Sequence, residues 1–443
     1  MFQSVSRPLI WTTLLILFVG LTLTSCPTQP TTPPEPATLT EEYTTSTEVW
    51  LRVSVLDSTD HAGLRVYRDD SLLVNFPVAP VDTVVIDGGL QPNTTHAYHT
   101  VRLQDNDERS PSEPLNVTTL PTTSHNFTWT IDTLGNYGSY LNDVVIVDED
   151  NIWAVGNIVT DSMEYNAARW DGERWHLMGI YSNTLDLYSI QYFASDDIWV
   201  TDICSPIHWD GDKWTLYHLQ NMGLDACAGN AIWGTSSSNL YFVGDDGTIV
   251  HYDGQSFTRE TSGTSIDLTD VMGSPSSGRL WAGGVQREDN QSVILTSTGN
   301  VWTTIYARDA SGHTSLGDSG WTTPTIQSLW IAPSDGPLWV IGGMGVFQFL
   351  PANHPQGYHR VWVGTQGYPA AYTWRIRGNA PNNIFIAGEH GELFHFNGKT
   401  WHEYSGQFPT TIHWYSVKST NRDLVLVGED IQLFQALVAV GYR

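Results

Sequence analysis

Short apolar runs, most with a central aromatic, recur through most of this chain, and most are followed by a tight turn and a second aromatic. The best-preserved copy runs from Asn151 to Trp175, NIWAVG then AARWDGERW. Later copies read DIWVTD with IHWDGDKW, NLYFVG with VHYDGQSF, RLWAGG with TSTGNVW, PLWVIG, NIFIAG with FHFNGKTW, and DLVLVG. Their anchor positions are Trp153, Trp199, Tyr241, Trp281, Trp339, Phe385 and Val425, spaced by 40 to 58 residues. A period in the low forties built from short apolar runs is the signature of four-stranded units that bury their faces only by packing on each other. The expected fold is all-β, with a β-propeller over residues 122–443.

Within each copy a first strand precedes the anchor: LNDVVIV, LYSIQYF, NAIWGT, LTDVMGS, IQSLWIA, TWRIRG and IHWYSVK. A third strand leads into Asp171-Gly172, Asp210-Gly211, Asp253-Gly254 or Asn397-Gly398, dipeptides suited to the positive φ angles of a hairpin turn. The seventh copy stops after IQLFQALVAV, one strand short. Asn126–Ile131 (NFTWTI) reads like an outer strand, and a ring left with two open edges is an aggregation hazard. The sequence therefore predicts seven blades, the last closed by strand 126–131.

Residues 1–25 read as an export signal, with Arg7 as their one charge and an apolar run after it. Leu23-Thr24-Ser25-Cys26 resembles a bacterial lipobox. The resemblance implies cleavage before Cys26, lipid on its sulfur, and a chain held on the cell envelope, at the outer membrane or cell surface. Residues 26–38 form a Pro/Thr-rich tether.

Residues 39–121 alternate as strands, with Val49, Leu51, Val53 and Val55 on one face and Trp50 on the other. Leu90-x-Pro92-x-Thr94 ahead of an aromatic-bearing strand, and the exit NVTTLP, resemble a fibronectin type III β-sandwich. This chain has His96 where that family carries its corner tyrosine, with Tyr98 two residues on.

Charge narrows the partners. Against 20 Lys and Arg stand 47 Asp and Glu, a formal net charge of −27. Such a surface repels phosphate backbones and anionic lipid, so nucleic acid is not an expected partner and the membrane is reached through the lipid alone. Cys204 and Cys227 remain as an even pair in an exported chain, which suggests a disulfide.

The repeats resemble sialidase-repeat (Asp-box-like), photosystem II stability-factor-like and two-component-regulator propellers, which specify a fold and leave activity open. A residue recurring at one position of every copy is expected to spread around a ring. On that ground His208, His251 and His395, with Arg169 in the same slot, read as structural. Function is placed instead on the irregular loop face, which carries Tyr165, Tyr181, His313, Trp321, Tyr368 and Tyr372 as candidate ligand contacts. Aromatics beside Asn, Asp and Ser suit a peptide or a glycan. The expected role is an envelope protein- or glycan-binding or scaffolding module. The alternatives are a polysaccharide hydrolase or lyase using loop carboxylates such as Glu164 with Asp186 or Asp309, and an assembly factor for an envelope complex. Arginines for a sialidase-like site are sparse: Arg169, Arg174, Arg375 and Arg377 lie in dissimilar places, and Arg308 alone falls in an irregular loop. No catalytic residue, metal ligand or cofactor is assigned. Calcium on Asp-rich loops is the one metal considered, although DEDN and GDDG lack EF-hand spacing.

Overall fold

The computed structural model describes residues 35–55, 63–79, 82–104, 107–299, 301–315, 325–342, 345–350, 358–362, 372–404 and 406–443. Cys26 and the expected export signal lie outside them, as do Trp321 and Tyr368.

Seven four-stranded antiparallel sheets make up the larger part of the described chain. Sheet one uses Tyr140–Asp148, Asn151–Val159, Glu164–Trp170 and Trp175–Met178 in sequence order. Sheets two to six repeat that order, beginning at Ser189–Ala194, Ala231–Ser236, Leu268–Gly273, Ser328–Trp330 and Thr373–Ala380. Sheet seven takes Ile412–Ser419, Asp423–Asp430 and Gln435–Tyr442 from the C-terminus. Its fourth strand is Thr128–Leu134, paired with Gln435–Tyr442 from Thr128↔Tyr442 to Leu134↔Ala436. The closing strand thus begins two residues later than the apolar run of the sequence suggests. Phe127 still packs on Phe385 and Tyr404 beside it.

The sheets close on themselves. Each first strand touches the next, and Ile412–Ser419 returns to Tyr140–Asp148. Successive side chains of a strand point to opposite faces, so every sheet offers one apolar face to each neighbour. Trp153 and Val155 meet Ile198 and Val200 of sheet two. Trp199 meets Leu240 and Phe242 of sheet three, while Val425 and Val427 meet Ile152 and Ala154 of sheet one. Burial on both faces explains why the anchor strands read as unbroken apolar runs.

The turn residues behave as their chemistry demands. Gly172, Gly211, Gly254 and Gly398 all have φ near +90°. The preceding Asp or Asn accepts the backbone N–H groups two and three residues on, as Asp171 does from Glu173 and Arg174.

Strands between Thr38 and Thr118 form two further sheets, one of three strands and one of five. They enclose Val49, Leu51, Val53, Leu64, Val66, Tyr98 and Val117. Trp50, on the far side of its strand, is also buried. With Tyr43, Val84 and Ile86 it packs against Trp330 and Trp339 of sheet five. Gly336, at φ +104°, sits so close that a Cβ would fall 2.5 Å from the Tyr43 ring. These contacts involve the regular turns that join first to second strands.

Candidate functional site

The first strands run along the axis of the ring, so equivalent positions of all seven sheets meet there. One position forms a ring of Asp143, Ser189, Ala231, Asp270, Ser328, Arg375 and Ser416. Its polar members tie five of the seven neighbouring pairs of sheets. Asp143 accepts the N–H of Ile190, Ser189 that of Ile232, Asp270 that of Leu329, and Ser328 that of Ile376, at 3.1 to 3.3 Å. Ser416 of sheet seven donates to Asp143 of sheet one at 2.7 Å. A buried N–H without an acceptor is costly, so this ring satisfies backbone and fixes the spacing of the sheets together.

Charge inside the channel is balanced by position. Arg377 grips Asp270 through both carboxylate oxygens, and Arg375 lies 3.5 Å away. Burial works against ionising Asp270, but the two guanidinium groups outweigh it and hold its pKa near 2. Asp143 is likewise kept below the usual carboxylate range, with Lys418 and Arg375 prevailing over its burial. Burial lowers the Lys418 ammonium to about 8.

One residue earlier along each strand, the ring is Asn142, Tyr188, Asn230, Thr269, Gln327, Trp374 and Tyr415. These side chains line a cavity of about 480 Å³ at one mouth of the channel. Asp245, Asp267, Arg287 and Glu288 from the adjoining loops complete its wall. The ring is preorganised. Asn142 donates to Leu187 O, Asn230 to Leu268 O and Thr269 to Gln327 O, each at the entry to the next sheet. Arg287 stacks over the Trp374 ring at 5.2 Å, and the Trp374 Nε1–H is buried with no protein acceptor. Three carboxamides, two phenols and an indole in one half-buried bowl can donate and accept hydrogen bonds and stack on planar groups. None needs to change protonation state to do so.

Among solved structures, one described as YCF48 bound to D1 peptide is similar over 72% of this chain and 96% of its own, with a TM-score of 0.53 and 15% identity. The ring of sheets is a β-propeller. A chain of a mitotic checkpoint complex aligns over 73% of this chain and 98% of its own at a TM-score of 0.47 and 12% identity. The computationally designed Ika8 protein aligns over 70% and 98% at 0.45 and 10%. No protein-family profile and no curated protein sequence matches the chain.

The mouth lies on the propeller face formed by second-to-third and fourth-to-first connections, the irregular face. The side chains foreseen there divide. Tyr372 stands at the rim: its hydroxyl donates to Gln327 at 2.8 Å and its ring lies 5.1 Å from Trp374. Tyr165 is half-buried against the core between the seventh and first blades, so its ring is engaged in packing. Tyr181 is 53% exposed and does not line the cavity. His313 caps its own loop, bonded to Ser311 and close to Asp309. The sulfurs of Cys204 and Cys227 are joined, linking that face of the second blade to the loop entering the third. The carboxylates weighed for hydrolysis are engaged locally or apart from the cavity. Asp309 accepts from Ser311 and His313, and Asp186 from Tyr140.

The recurring third-strand position has a structural task. His208 lies flat on Trp199 at 4.1 Å and bonds to Asp197. His251 repeats this on Tyr241 with Asn239, and His395 on Phe385 with Asn383. Arg169 does the same over Trp153, bonding to Asn151. Recurrence therefore spreads a residue around the blades on the third strand, as expected. On the first strand it gathers residues at the axis, contrary to the expectation from sequence. The signal was present as a polar residue, often preceded by an amide or aromatic, directly ahead of an apolar residue in LNDVV, LYSIQ, LTDVM, IQSLW and HWYSV.

Proposed function

We propose that this chain is a lipid-anchored envelope protein whose seven-bladed propeller binds a peptide segment of a partner protein at the mouth of its channel. The observation that carries this is the convergence of seven first-strand side chains on one cavity. Asn142, Asn230 and Gln327 match the paired donor and acceptor of a peptide group, and Trp374, Tyr188 and Tyr415 offer flat apolar surface. The structurally similar YCF48 was solved bound to a D1 peptide, and a peptide is the ligand class proposed here.

The fibronectin type III-like sandwich acts as a spacer in this reading. It docks by Trp50 and Tyr43 on the regular-turn face, opposite the cavity. Because Cys26 precedes the sandwich, lipidation there would turn the open mouth away from the membrane.

The reading is tested by panning a random peptide library and an oligosaccharide array against the purified protein and its Trp374→Ala variant. Peptides retained by the protein and lost by the variant support it. Retention of oligosaccharides alone, or release of shortened oligosaccharides, would replace it with glycan recognition or hydrolysis.

A further inference from the structure

A second site lies beside the mouth, between the sixth and seventh blades. Glu389 and His390 occupy the turn after strand Asn383–Gly388, and His413 stands in strand Ile412–Ser419. One ligating atom from each lies within 4.8 Å of the others. We propose that Glu389, His390 and His413 bind a zinc-type divalent metal ion.

Two observations beyond proximity point to a metal. His390 holds its Nδ1 3.0 Å from the carbonyl oxygen of Thr410. A carbonyl only accepts, so Nδ1 carries the proton and Nε2 presents its lone pair. That is the arrangement in which a metal-ligating histidine donates its other ring N–H to a backbone carbonyl. His413, in turn, keeps Nε2 buried with no hydrogen-bond partner, an unsatisfied polar atom that a ligand would relieve.

Two histidines and one glutamate are a hard-to-borderline donor set that suits zinc. Bonds of about 2.0–2.2 Å require ligand atoms roughly 3.4 Å apart, so Glu389 and the exposed His390 close inward by at most about 1.4 Å on binding. The turn that carries them is held otherwise. Glu389 N–H donates to Tyr372 O, and Gly391 N–H to Ile412 O. The metal would pin this turn to the seventh blade next to Trp374 and Tyr415, which line the cavity. A second histidine group, His125 with His395 and His402, differs in that Arg443 reaches within 3.2 Å of His395 and its cation opposes a dication.

The test is a Zn²⁺ titration of the untagged, chelator-treated full chain by calorimetry, with Co²⁺ absorption as a coordination probe. Variants are His390→Ala, Glu389→Gln, His413→Gln and, as control, His125→Ala. The proposal expects one Zn²⁺ per chain and an intense visible Co²⁺ spectrum. Affinity falls at least tenfold in His390→Ala and Glu389→Gln, and His125→Ala binds like the parent. Since His413 packs in a strand, the two turn variants decide the matter if His413→Gln does not fold. No saturable binding, equal affinity in both turn variants, or loss in His125→Ala alone overturns the site. None of these outcomes depends on a peptide binding at the channel mouth.

Discussion

Arg377 in the sixth blade reaches Asp270 in the fourth through two parallel hydrogen bonds of 2.8 and 2.9 Å, with the fifth blade between them. The pair therefore couples blades that are not neighbours, inside a channel where water competes little. Ser328 of the intervening blade bonds to the same carboxylate.

Breaking that pair from one side should be far more harmful than removing it whole. Deleting one partner of a buried ion pair costs about 3–5 kcal/mol because the other charge is stranded. Asp270→Asn is expected to lower unfolding stability by roughly 3 kcal/mol, and Asp270→Asn with Arg377→Met by less than the sum of the single changes. Urea unfolding of the four proteins in the cycle measures it.

His395 makes stability depend on acid. Burial, with His125 and Arg443 adding to it, pushes its pKa down to about 2, and His125 is lowered to about 4. The unfolded chain takes up these protons near pH 6.5, so below that pH it binds more protons than the folded chain. Stability should therefore be fullest above pH 6.5 and fall as the pH drops towards 4. His395→Gln should show a shallower fall over pH 6.5 to 4.5, read from urea midpoints at successive pH values.

The Cys204–Cys227 bond closes a loop with a sequence separation of 23. On the chain-entropy account it contributes about 3 kcal/mol. The Cys204→Ser, Cys227→Ser double variant should lose about that much while keeping its near-UV circular dichroism. A reducing agent should shift the parent's unfolding midpoint and leave the variant's unmoved.

The fold was legible because its rules are local and repeated. Period, turn dipeptides and the missing seventh outer strand each follow from hydrogen-bonding need within one blade. The stacking of His208 on Trp199 was legible as structural for the same reason. The channel was not, because the same recurrence acts differently at different distances from the axis. It separates His208 from His251 on third strands but brings Asn142, Asn230 and Gln327 to one cavity on first strands. Trp50 shows a second limit. Its alternation placed it outside the sandwich core, yet only the packing of Tyr43 and Trp50 on Trp330 and Trp339 shows what covers it. Tyr165 shows a third: an aromatic in an irregular sequence stretch became part of a strand and its core.

The central claim is that the channel mouth holds a peptide. The measurement that tests it most directly is the affinity of one library-selected peptide, by calorimetry, for the parent protein and for the Trp374→Ala and Tyr181→Ala variants. Removing a stacking anchor from a binding pocket commonly costs more than about 1 kcal/mol. The account predicts at least a tenfold loss for Trp374→Ala and no change for the exposed Tyr181→Ala, with both variants unfolding cooperatively. Equal affinity for Trp374→Ala and the parent, or a loss confined to Tyr181→Ala, would contradict it and place binding on the outer loops.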